Sequence, residues 1–197
     1  MAKVLVGLIL GLAAAGGVWW FVFGPEEIST SNTPPPPPAA TGTTPPPAAQ
    51  AEPAYPDDFV LRSGEIPAQF ILAPIDEETL AMGVTGNPGY ITDPQFIQFA
   101  IGEDVDIAKV DKVYLIGYTM PGAELGEMGM YVVRFKSEAD LASQIAKLPP
   151  AANNNLEYYR RGRVLVIVWS ALEAYASERA AVGTIMTGRL GMSTVAR

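Results

Sequence analysis

Hydrophobic positions divide the chain into one unbroken apolar run and a later stretch of short, alternating and periodic segments. VLVGLILGLAAAGGVWWFVF, Val4 to Phe23, holds no charge. At a helical rise of about 1.5 Å per residue it spans about 30 Å, the thickness of a bilayer core. Lys3 precedes it and Glu26 and Glu27 follow, which orients the N-terminus towards the cytoplasm and the rest outside. Trp19, Trp20, Phe21 and Phe23 gather at the outer end, where an interfacial aromatic belt sits. The sequence therefore predicts a single-pass anchor over residues 1–25. A cleaved signal peptide is the competing reading, with Ala13-Ala14-Ala15 as a small-residue cleavage site. The apolar run continues past that site, which favours the retained anchor. Gly7, Gly11 and Ala15 share one helix face and offer a close-packing surface for pairing two copies into a homodimer.

Residues 26–56 contain ten prolines among Thr, Ala and Ser. Proline has no amide proton and clashes with a preceding helical turn. Such a segment is a disordered, semi-rigid spacer, reaching about 3.1 Å per residue in polyproline II form.

Beyond it, residues 57–197 read as one α+β domain. Gln69–Leu72 suggests a short strand and Asp76–Met82 a helix with acidic residues in its first turn. Asn87-Pro88-Gly89 signals a turn, and Asp93-Pro94 a capped helix start. Lys112–Met120 and Met130–Lys136 are β-branched and aromatic, joined by a Gly-rich hairpin connection. Ser137–Leu148 has a serine cap and an apolar stripe of Leu141, Ile145 and Leu148. Strands at Leu156–Arg161 and Arg163–Ser170, turning at Gly162, lead to a helix from about Leu172 to Leu190. The order strand, strand, helix thus occurs twice, and the two stretches align loosely, as a duplication would. The expected architecture is an antiparallel sheet with helices on one face. Arg163–Ser170 is apolar almost throughout, so Val164, Val166, Val168 and Trp169 should be deeply buried in a central strand.

Charge and composition narrow the chemistry. The net charge is −8, contrary to the basic face that nucleic acid requires, and no nucleic-acid partner is expected. Asp57 to Glu127 carries 13 acidic and 3 basic residues, whereas Met128 to Arg197 carries 5 and 9, so the halves attract each other. Cysteine and histidine are both absent, which removes disulfides, thiolate and imidazole metal ligands and the usual nucleophilic triads. There is neither a phosphate loop nor a dinucleotide fingerprint, and no cofactor is expected.

The remaining candidates are surface features. Glu103, Asp104, Asp106 and Asp111 cluster in a loop without calcium-loop spacing. Met120, Leu125, Met128 and Met130 surround the hairpin connection and suggest an apolar tip for a partner. Arg160, Arg161 and Arg163 flank a turn and suit an anionic partner. Ser143 and Lys147 share a helix face, as polar residues of a surface helix do. The plan of anchor, spacer and domain is similar to that of envelope proteins that span the space between membrane and wall. This resemblance rests on architecture and transfers no residues. It implies a membrane-anchored, extracytoplasmic interaction module binding an envelope protein or wall component without catalysis. The alternative is a carboxylate-dependent enzyme, or a domain that binds a solute or cation through its acidic first half.

Overall fold

The structure is a computed structural model and describes residues 54–152 and 154–197. The expected anchor, its pairing face at Gly7, Gly11 and Ala15, and most of the spacer lie outside the described residues. Among the described residues no helix is long and apolar enough to cross a membrane.

The chain forms an α+β domain around a seven-stranded sheet whose paired strands are all antiparallel. The strands are β1 (Ile71–Leu72), β2 (Gly89–Ile91), β3 (Val110–Thr119), β4 (Glu127–Phe135), β5 (Leu156–Arg161), β6 (Val164–Ser170) and β7 (Ser193–Val195). Their order is β1-β3-β4-β6-β5-β7, with β2 also on β3. The helices are α1 (Glu77–Ala81), α2 (Pro94–Ile101), α3 (Glu138–Gln144) and α4 (Ala176–Gly188).

Local chemistry starts the helices where the sequence suggests. Asp76 accepts from Thr79 N–H, Asp93 from Gln95 and Phe96 N–H with Pro94 at the first position, and Ser137 from Asp140 N–H. Each side-chain oxygen satisfies an amide that has no partner within the helix. The last helix differs from expectation. Ser170 ends β6 and donates to Leu172 O, a short 3-10 turn at Glu173–Tyr175 follows, and α4 then begins without a side-chain cap. β2 and β7, three residues each, were not anticipated.

The sheet is buried on both faces. Along β6 the side chains of Val164, Val166 and Val168 enter one core, and those of Leu165, Ile167 and Trp169 enter the other. All seven residues of β6 are buried, as its apolar run required. The first core packs Val182, Met186 and Leu190 from α4 and the segment after it. The second packs Phe96, Ala100 and Ile101 from α2 with Leu141 from α3. Helices therefore cover both faces, which corrects the expected one-sided arrangement. The correction also removes the duplication. Strands β3-β4 and β5-β6 lie in the order β3-β4-β6-β5, with α3 and α4 on opposite faces. The two strand-strand-helix units thus have opposite hand, and no rotation superposes them. The loose alignment equates Val133 with Val166, yet these side chains enter different cores.

The charge asymmetry closes partly within the fold. Asp111 pairs with Arg134 at 2.7 Å and Glu65 with Arg189 at 3.1 Å, each joining the acidic half to the basic half.

Candidate functional site

Two glycines open a space on the sheet face covered by α2 and α3. Gly117 of β3 lies opposite Gly129 of β4. A methyl group on Gly129 would meet the Trp169 ring at 2.6 Å, so the absence of a side chain lets the indole lie over the strand. Asn87 sits over Gly117. Its amide donates to Ala73 O at 2.7 Å and Gly117 O at 2.8 Å, and its Oδ1 accepts from Gly117 N–H at 2.8 Å. One side chain thereby fills the break in pairing between β1 and β2, which share the outer edge of β3.

Above this floor lies a pocket of about 550 Å³, within the range of small-molecule sites. Ile75, Phe96, Leu115, Tyr131 and Trp169 form much of its apolar wall, and Ile71, Pro121 and Gly122 also line it. Tyr131 and Trp169 stack with ring centroids 5.9 Å apart. The Trp169 Nε1–H is buried and has no acceptor among the described residues.

Glu127 lines the same pocket and is only 5% exposed. It sits at the start of β4, opposite Thr119. Alternation places it on the face of Tyr131, Val133 and Phe135, towards the core. Its carboxyl has neither a hydrogen bond nor an ion pair among the described residues. Burial pushes it up to about 7. Burial, and next the Glu127 charge, also push the Tyr131 phenol upward. The second carboxyl lining the pocket, Asp76, has a different setting. Hydrogen bonds from Thr79 hold it below its usual range while it caps α1.

The surface candidates fare unevenly. Met128 and Met130 are fully buried, because their side of β4 faces the core under α4. They do not form an apolar tip. Met120 is half-buried against the same core, and Leu125 stays 42% exposed in the hairpin connection. Arg160 is exposed. Arg161 donates to Leu190 O at 2.6 Å, and Arg163 is half-buried next to Gly162, which turns the chain at φ +53°. The three arginines serve one turn and are not brought to the pocket. The acidic loop is likewise local: Asp106 caps a 3-10 turn and Asp111 pairs with Arg134. Among the described residues no group of three or more carboxylates is placed to hold a metal ion. Ser143 accepts from Lys109 Nζ at 2.8 Å.

Reasoning from the sequence missed Glu127, Tyr131 and Asn87 as site residues. The readable signal was Glu127 itself. Extending β4 back by three residues puts a carboxylate, a glycine and Tyr131 at alternate positions of a strand buried on both faces.

Fold and site together define a class: a two-faced antiparallel α+β domain with a lined pocket holding a carboxyl that is unpaired among the described residues. No family model, curated protein or solved structure matches the chain.

Proposed function

We propose that the domain is a binding module that takes a small, mainly apolar molecule into the pocket over Gly117. The Glu127 carboxyl, which lines the pocket without a hydrogen bond or ion pair among the described residues, carries this reading. A polar group in a mainly apolar lining fixes the orientation of what enters, and one that the chain leaves unpaired is open to a partner from outside. The pocket is built largely from the acidic first half, which favours solute binding over contact through the hairpin tip, whose methionines are in the core. Catalysis needs a second positioned acid, base or nucleophile, and Asp76 is engaged in a helix cap. With the expected anchor and spacer, the module would hold its ligand outside the membrane at a distance set by residues 26–56.

The test is a thermal-shift screen of apolar fragments against the full chain, with Ala73→Leu beside it. Ala73 lines the pocket, and leucine there fills it. Fragments that raise the melting temperature of the native chain and not of Ala73→Leu support the reading. Equal shifts in both proteins, or none in either, overturn it.

A further inference from the structure

We propose that the ligand is an apolar organic amine, bound as its ammonium form against Glu127 with its apolar body between Phe96, Tyr131 and Trp169. This deepens the binding reading above and rests on it. Three observations point to a cation. The first is the chemistry of the lining: it carries two carboxyls, Glu127 and Asp76, and no lysine or arginine. The second is that Glu127 is nine-tenths buried and its carboxyl has no hydrogen bond or ion pair among the described residues. A carboxylate in that position is stabilised by an opposite charge arriving from outside. The third is the wall of aromatic rings, whose faces attract cations, most strongly where water is excluded. A neutral head group would use the walls and leave the charge complementarity unused. An anion would meet two carboxyls.

The groups that bear on Glu127 come from each element around it. β4 contributes Tyr131 and the N-cap of α1 Asp76, while β3, β6 and α2 contribute the non-titrating Leu115, Trp169 and Phe96. The Tyr131 phenol is pushed well above its ordinary range by burial first, so it stays neutral at physiological pH, and the Tyr118 phenol lies in the opposite core near Glu65 and Arg189. Asp76 is held below its range and stays ionised. Glu127 is thus the pocket group that changes charge near neutrality, and an ammonium ligand displaces its proton. Affinity for an amine should rise as pH rises towards neutrality and level off above it, falling about tenfold for each pH unit below 7.

Calorimetric titration of the full chain with phenylpropylamine, phenylpropanol and phenylpropionate, which share one apolar body, tests this. The expected order at pH 8 is amine over alcohol by tenfold or more, with propionate weakest. Amine affinity should fall about a hundredfold between pH 8 and pH 5. Glu127→Gln should abolish both the preference and the pH dependence. Its melting temperature at pH 5 should match the native chain, where Glu127 is itself neutral, showing that the variant folds. Equal, pH-independent binding of amine and alcohol that Ala73→Leu abolishes would overturn the amine and leave the pocket reading standing. Failure of all three probes to bind, or binding unaffected by Ala73→Leu, would overturn both.

Discussion

At the scale of single residues, Glu127 couples stability to pH. Its carboxyl is raised from 4.5 to about 7 by burial. The folded chain therefore holds this proton more tightly than the unfolded chain. The resulting stabilisation is complete below about pH 4.5 and disappears as pH climbs through 7, an effect on the order of 3 kcal/mol. Asp76 and Glu178, both lowered by hydrogen bonds first, act oppositely in more acidic solution. Denaturant midpoints should fall between pH 5 and pH 8 in the native chain and stay nearly level in Glu127→Gln; a level native profile would show that the carboxyl is solvated. Val166 and Val168 bear on packing. Both are fully buried, and truncation of either to Ala should cost about 1–3 kcal/mol through lost burial and an unfilled cavity. A neutral outcome at both, measured by urea unfolding, would remove β6 from the centre of the sheet.

At the scale of elements, Asn87 holds three hydrogen bonds at the shared edge of β3. Asn87→Ala leaves the Gly117 amide without its side-chain acceptor and the Ala73 carbonyl without its donor, while the Gly117 carbonyl keeps the Ala73 N–H. It should cost about 2–4 kcal/mol, since each unmade buried bond costs about 1–3 kcal/mol. Amide exchange at Gly117 should accelerate well before that at Val132; unchanged protection would show that water or a backbone group replaces the side chain. The same element shows where sequence reading stops. Helix starts at Asp76, Asp93 and Ser137 and the strand at Leu156 were legible because caps, proline and alternation are local signals. β1 was overestimated and β2 missed because two- and three-residue strands exist only through β3, whose pairing is not written locally. The second helical face was illegible for a related reason. An apolar stripe says that α3 and α4 each pack on something, and only the path of the chain decides on which side. Glu127 was hidden by placing the start of β4 at Met130, which left a core position inside an apparent loop.

At the scale of the molecule, the folded part begins before the expected boundary at Asp57. Tyr55 donates to Val132 O at 3.1 Å, packs edge-on against Phe59 and Tyr114 and lies under the Arg134 guanidinium at 4.7 Å. Limited proteolysis should cut within the proline-rich segment and leave a resistant fragment that still includes Tyr55. If the chain is anchored as its apolar run suggests, protease outside intact cells should release that fragment; its protection would reverse the topology. The position of Tyr55 has a mechanical side. It joins the core that contains Val132, Val166 and Met186, whereas the pocket lies over the opposite face with Tyr131 and Trp169. Tension drawn through the N-terminal segment is therefore delivered to the middle of β4 on the side away from the ligand. In single-molecule pulling from the N-terminus, Tyr55→Ala should lower the first rupture force and Ala73→Leu should leave it unchanged. A domain loaded in this way would take force from its N-terminal side on one face while the pocket on the other keeps its shape.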